Sequence, residues 1–234
     1  MNHHGPDFLL IPGWGATERV WDRFATGFPE VRIFHGAWND CVREWPQAIE
    51  RSLAGIPGTC VLMGWSLGAL LALRTVLEFP ERVERLVLIS GTARMPQTDG
   101  YAGTDPRVLR AMRSRLTRDA GRVLSEFADL CAGPDGDAAV RSEYLEMAHT
   151  QSREALAAGL EALASLDFRG RLKEISVPVL LLHGSEDRVI PWGQAEVLAS
   201  LLPDARLEVL AGRGHALPFT ASGELVQAVR RFLA

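Results

Sequence analysis

Ser66 stands at the centre of Gly64-Trp65-Ser66-Leu67-Gly68, a G-x-S-x-G pentapeptide set between an apolar run at 59–63 and a helix-like stretch at 69–78. A serine on so tight a strand-to-helix turn takes a strained backbone conformation that presents its hydroxyl outward. Glycines on either side let neighbouring backbone pass without a side-chain clash. An alcohol is a weak nucleophile, so the chemistry needs a base to take its proton and a carboxylate to orient that base. Asp187 follows the buried strand-like run 177–183 through Gly184-Ser185-Glu186, and His215 follows the run 206–210 through the flexible Ala211-Gly212-Arg213-Gly214. The order Ser, Asp, His, each just past its own strand, points to Ser66 as nucleophile, His215 as base and Asp187 as its orienting carboxylate. The oxyanion of an acyl-transfer intermediate needs preorganised donors. The N–H of Leu67, opening the helix after the nucleophile, and that of Trp14, in the turn Pro12-Gly13-Trp14-Gly15 after the run 8–11, are the candidates.

Such groups must be carried on a rigid scaffold. Strand-like runs recur at 8–11, 31–34, 59–63, 86–90, 179–183 and 206–210, with amphipathic helical stretches between most of them. This alternation predicts an α/β fold: a mostly parallel sheet of about six strands with helices on both faces. The alternation stops between Gly91 and about Val177, where a long helical stretch replaces the next strand. The chain therefore divides into a core of residues 1–93 and 171–234 and a helical lid of residues 94–170, inserted after the fourth strand. Trp14 and Trp65 flank the reactive groups in sequence and are expected to line an acyl channel with Leu109, Met112 and Leu116 of the lid.

Composition narrows the field. The 234 residues, 47% hydrophobic and 23% charged, suit one compact enzyme domain. With no basic-then-apolar leader and no run of 18 apolar residues, the expected location is the cytoplasm, away from membranes. Cys41, Cys60 and Cys131 are odd in number and widely spaced, which predicts reduced thiols and no metal site or cofactor; His3 and His4 form too short a tract to be one. A monomer is expected.

The lid differs in charge from the rest. Arginines 94, 107, 110, 113, 115, 118 and 122 face three aspartates, at 99, 105 and 119, giving a local net charge of +4 in a chain of −4 overall. Arginines at helical spacing can present a cationic face to an acidic partner. An acidic chain without a nucleic-acid-binding motif or aromatic stacking array does not fit nucleic acid as that partner.

Several of these segments resemble one family, the pimeloyl-acyl-carrier-protein methyl ester carboxylesterases of biotin synthesis, within the α/β-hydrolase superfamily. The similarity runs along most of the chain. It is carried by Gly13-Trp14-Gly15 with Glu18-Arg19-Val20-Trp21, the Gly64-Trp65-Ser66-Leu67-Gly68 elbow, Pro80-Glu81-Arg82-Val83 with the strand that follows, and the segment 107–127. The resemblance implies a serine carboxylesterase that cleaves the methyl ester of a pimeloyl chain on acyl carrier protein through an acyl-enzyme. It also implies that lid arginines bind the carrier's acidic surface and phosphopantetheine, with Arg122 and Arg141 among them. Two departures stand out. Glu126 occupies the place of an expected arginine, so that contact is lost or moves to Arg118 or Arg115. His35-Gly36-Ala37-Trp38-Asn39-Asp40 replaces the usual Gly-x-Gly-x-Ser after the second strand. The alternatives are another enzyme of this fold acting on small esters or C–C bonds, such as a lyase of menaquinone synthesis, and a non-catalytic ligand receptor.

Overall fold

The computed structural model describes residues 5–133 and 137–234; His3 and His4 lie outside them. In chain order the elements are β1 (Asp7–Ile11), α1 (Asp22–Ala25), β2 (Ile33–His35), α2 (Trp38–Arg43), α3 (Gln47–Ala54), β3 (Cys60–Trp65), α4 (Leu67–Glu78) and β4 (Val83–Ile89). The helices α5 (Pro106–Leu116), α6 (Ala120–Cys131), α7 (Ala138–Ala148) and α8 (Arg153–Ser165) come next. Then follow β5 (Val179–Gly184), α9 (Gly193–Leu201), β6 (Ala205–Leu210), α10 (Leu217–Thr220) and α11 (Ser222–Leu233). The strands form one six-stranded sheet in the order β2-β1-β3-β4-β5-β6, parallel at every pairing. Parallel strands covered on both faces read as unbroken apolar runs, and every residue of β1, β3 and β5 is buried.

Two strands start more than one residue away from the sequence expectation. β2 begins two residues late, because pairing with β1 sets Ile33, Phe34 and His35 opposite Phe8, Leu9 and Leu10. β4 begins three residues early, since Val83 and Arg85 already pair with β3 and the polar Glu84 sits at its solvated end.

Between β4 and β5 the chain is largely helical, and each of α5 to α8 starts on a side-chain cap that satisfies otherwise unpaired N–H groups. Asp105 accepts from the Arg107 N–H, Asp119 from that of Arg122, Asp137 from those of Ala139 and Val140, and Ser152 from that of Ala155. Such caps are worth about 1 kcal/mol each. The two ends of the insertion are tied at Asp167, which accepts from Arg94 (2.9 Å) and Arg169 (2.8 Å). The Arg169 bond, opposed by partial burial and helped by Arg94, lowers the Asp167 carboxyl to about 2.

The close approach of α4 to β1 depends on glycine. A Cβ on Gly68 would fall 2.1 Å from the Ile11 carbonyl oxygen, and one on Gly64 2.2 Å from the Gly68 oxygen. Both obstacles are backbone and cannot swing aside. Gly68→Ala is therefore expected to lower stability by about 3 kcal/mol or more, read as an earlier urea midpoint; an unchanged midpoint would mean that α4 can move off the sheet.

Candidate active site

Parallel strands deliver their following loops to one edge of the sheet, and the site is built there from the carboxyl ends of β1, β3, β4, β5 and β6. Ser66, directly after β3, has φ +57° and ψ −118°, a conformation that only glycine adopts without strain. It is held there by its N–H, which donates to the Ile89 carbonyl (2.9 Å), and by the helix that starts at Leu67.

The structure brings Ser66, His215 and Asp187 into contact. Ser66 Oγ lies 2.9 Å from His215 Nε2, and His215 Nδ1 lies 2.8 Å from Asp187 Oδ2, all three side chains being buried. Asp187 Oδ1 accepts from the N–H groups of Val189 and Ile190, each at 2.8 Å. Burial alone would raise the Asp187 carboxyl. The attraction of His215 and the bonds from His183 and His215 outweigh it and hold the group well below the usual carboxylate range. An ionised Asp187 only accepts, so His215 Nδ1 carries the proton and Nε2 is left to face Ser66. This arrangement can draw a proton from the serine and hold the resulting imidazolium.

The loops bearing Asp187 and His215 are joined to each other. The Glu186 N–H donates to the Arg213 carbonyl and the Gly212 N–H to Ser185 Oγ, both at 2.9 Å, while a Cβ on Gly184 would fall 2.3 Å from the Arg213 oxygen. Two contributors here, His183 and Ser90, are not among the residues the sequence singles out, and a third, Trp65, has a different role from the one expected. His183 Nε2 lies 2.7 Å from the Ile190 carbonyl and 3.3 Å from Asp187 Oδ2; with acceptors on both sides, that nitrogen bears a proton. Ser90 Oγ donates to the His215 carbonyl at 3.1 Å. Trp65, expected on the channel wall, lies elsewhere: its indole N–H donates to the same carbonyl at 2.9 Å, and its ring packs on His215 and Phe219. The signal for His183 was a histidine ending an apolar strand four residues before the aspartate.

Trp14 is clamped by the insertion. Its indole N–H donates to the Leu156 carbonyl (2.9 Å), its carbonyl accepts from the Tyr144 hydroxyl (3.1 Å), and its ring meets the Phe127 ring edge-on. Gly15 has φ +75°, and a Cβ there would strike the Tyr144 hydroxyl; Gly159 on α8 leaves room for the rings of Trp14 and Trp38. The Leu67 N–H, at the first position of α4, has no acceptor within its own helix.

Above Ser66 opens a cavity of about 340 Å³. Its walls include Trp14, Leu109 and Met112, as expected for a channel, together with Phe127 of α6 and Leu160 and Leu163 of α8. Leu116 is buried but is not among the wall residues.

The arginines of the insertion are largely engaged. Arg107 pairs with its own helix cap Asp105, Arg113 with Glu161, and Glu126 gathers both Arg115 (2.7 Å) and Arg122 (3.0 Å). Arg141 ties α7 to α6 through Asp129 (2.6 Å) and Ser125, so its charge is taken up inside the insertion. Arg118 is exposed and lines a shallow surface pocket with Arg115, Asp119 and Arg122.

Among the described residues, no group of three or more His, Cys, Asp or Glu is placed to hold a metal, and no helix is long and apolar enough to cross a membrane. The three cysteines are free and buried, and burial pushes the thiols of Cys41 and Cys60 up to about 12 and that of Cys131 well above its ordinary value.

A family model described as the Alpha/beta hydrolase family matches residues 8–228. The chain belongs to the α/β-hydrolase family. This hydrolase is 32% identical over 234 residues to the pimeloyl-[acyl-carrier protein] methyl ester esterase of Nitrosomonas europaea, with 94% of this chain and 92% of that one covered. It is 34% identical over 240 residues to the protein of the same name from Aromatoleum aromaticum, with 94% of each covered. The resemblance carried by the sequence motifs thus extends over nearly the whole hydrolase. In shape it is similar to a bromoperoxidase from Bacillus anthracis, with a TM-score of 0.89 over 98% of this chain and 92% of that one; at 21% identity the likeness concerns the fold alone.

Proposed function

We propose that this hydrolase is a serine carboxylesterase that removes the methyl group from a pimeloyl methyl ester carried on acyl carrier protein. The observation that carries the reading is the hydrogen-bonded chain Ser66, His215, Asp187 opening into an apolar cavity of about 340 Å³, a size and lining suited to a methylene chain. The similarity to the methyl ester esterases of Nitrosomonas europaea and Aromatoleum aromaticum supports the choice of substrate.

In this reading His215 Nε2 takes the Ser66 proton as Oγ attacks the ester carbonyl carbon. The carbonyl oxygen becomes an oxyanion facing the N–H groups of Trp14 and Leu67, and Asp187 stabilises the imidazolium. Collapse of the intermediate expels methoxide, which leaves as methanol with the proton from His215. Water, deprotonated by His215, then attacks the acyl-enzyme; Ser66 recovers its proton and the free acid departs. Residues 94–170 act as the lid over the acyl chain. The carrier docks on the surface formed by Arg118 and Arg122, and with that carrier as substrate the enzyme works in the cytoplasm. Trp65, buried, and Arg141, held by both Asp129 and Ser125, fit supporting roles better than direct substrate contact, whereas Arg122, though paired with Glu126, keeps a side chain 72% exposed.

The test is hydrolysis of pimeloyl methyl ester on its carrier beside a short p-nitrophenyl ester at two salt concentrations. Cleavage of both esters, with that of the carrier-bound one weakened by salt, is expected. Reversing Arg118 and Arg122 to Glu should lower the ratio of carrier-bound to small-ester kcat/KM by about tenfold at low salt. Equal loss on both substrates would make these arginines structural, and cleavage of the small ester alone would remove the carrier from the reading.

A further inference from the structure

The cavity above Ser66 has a single charged residue in its wall among those described, Arg188. Most arginines of the insertion and of the His215 loop hold a carboxylate; Arg113, Arg115, Arg122 and Arg213 are examples. Arg188 has no side-chain hydrogen bond or ion pair to any described residue, and it is solvent-exposed. Its backbone, by contrast, is firmly placed: Asp187 before it accepts the N–H groups of Val189 and Ile190 after it, and Val189 and Pro191 of the same loop also line the cavity. An arginine whose guanidinium is unpaired among the described residues therefore stands on a rigid loop in the wall of an apolar chamber that also contains Ser66.

A ligand filling that chamber would cover the guanidinium, and a covered cation needs an acceptor. We propose that Arg188 is a specificity-determining residue that selects esters whose acyl chain ends, remote from the ester, in an oxygen acceptor. With the ester carbonyl at Ser66 and the methylenes against Leu109, Met112 and Phe127, the remote oxygen meets Arg188. Two sources have this chemistry. A free half-ester of a dicarboxylic acid offers a carboxylate that can take two parallel N–H bonds, and a carrier-linked chain offers its neutral carbonyl. The inference rests on the esterase reading of Ser66.

The experiment compares monomethyl esters of dicarboxylic acids with methyl alkanoates over a series of chain lengths, each normalised to its rate with hydroxide, in the wild type, Arg188→Met, Arg188→Lys and Ser66→Ala. At the best chain length the wild type should prefer the half-ester by about tenfold or more in kcat/KM at low salt, and the preference should narrow as salt is added. Arg188→Met should bring the ratio near one, and Arg188→Lys should keep part of it, since a lysine supplies charge without the planar fork. A parallel arm with the carrier-bound methyl ester separates the sources: a raised KM in Arg188→Met there assigns the contact to the linked carbonyl as well, and an unchanged one confines it to free half-esters. Serine-dependent hydrolysis with no preference in the wild type, or a preference that survives Arg188→Met, would overturn the role of Arg188 alone. Absence of any Ser66-dependent ester cleavage would overturn both readings.

Discussion

Ser66→Ala should reduce kcat for ester hydrolysis by roughly 10⁶-fold, the scale seen when the nucleophile of a serine–histidine–aspartate site is removed. The change deletes only Oγ, whose partner is His215 Nε2 at 2.9 Å, and leaves the Cβ and the rest of the elbow in place. The backbone strain at φ +57° is therefore retained, and the melting temperature should stay close to that of the wild type. Ser66→Gly should abolish activity as completely while stabilising the protein by about 1 kcal/mol, because glycine adopts this conformation freely. Urea unfolding of the three proteins, run beside the rate measurement, separates the chemical role of the hydroxyl from the strain of the turn. Hydrolysis by Ser66→Ala within tenfold of the wild type would remove the proposed nucleophile.

The elbow was legible because its glycines answer to local backbone constraints, and the structure gives the reason for each: Gly64 and Gly68 face carbonyl groups that no Cβ could approach. The strands were legible for a related reason, since burial on both faces of a parallel sheet leaves apolar runs that need no tertiary knowledge to detect. The partners of polar side chains were not legible, because they are set by distances between elements far apart in sequence. Trp65 was placed on the channel wall by its position beside Ser66, yet its indole reaches a carbonyl 150 residues away. Glu126 stands in an arginine's place, and it gathers two arginines whose partners the sequence does not reveal, Arg115 from α5 and Arg122 from its own helix. Sequence spacing foretold a cationic face; side-chain pairing reduces it to a smaller exposed surface around Arg118. Arg188 was not legible for the opposite reason: nothing in Glu186-Asp187-Arg188-Val189 says that the guanidinium has no partner among the described residues and that the residue lines the cavity.

Asp187→Asn should lower kcat by about 10⁴-fold with the fold intact, and the site's own hydrogen bonds give the reason. Oδ1 receives the N–H groups of Val189 and Ile190, so the asparagine must turn its oxygen toward them. Its NH2 group then occupies the place of Oδ2, facing His215 Nδ1 at 2.8 Å. A donor there requires Nδ1 to accept, which moves the ring proton to Nε2 and leaves no lone pair on the nitrogen that faces Ser66. The same NH2 also meets the protonated Nε2 of His183, 3.3 Å from Oδ2, an unfavourable donor pair that should cost about 1–3 kcal/mol in stability. Asparagine preserves the two backbone bonds that alanine would leave unmet, so Asp187→Ala should be the less stable of the two variants while Asp187→Asn isolates the effect on the histidine. Nitrogen-15 NMR of the His215 ring supplies the direct check: the proton should reside on Nδ1 in the wild type and on Nε2 in Asp187→Asn. An Asp187→Asn enzyme that keeps the wild-type tautomer and a kcat within tenfold of the wild type would mean that Asp187 does not orient the base.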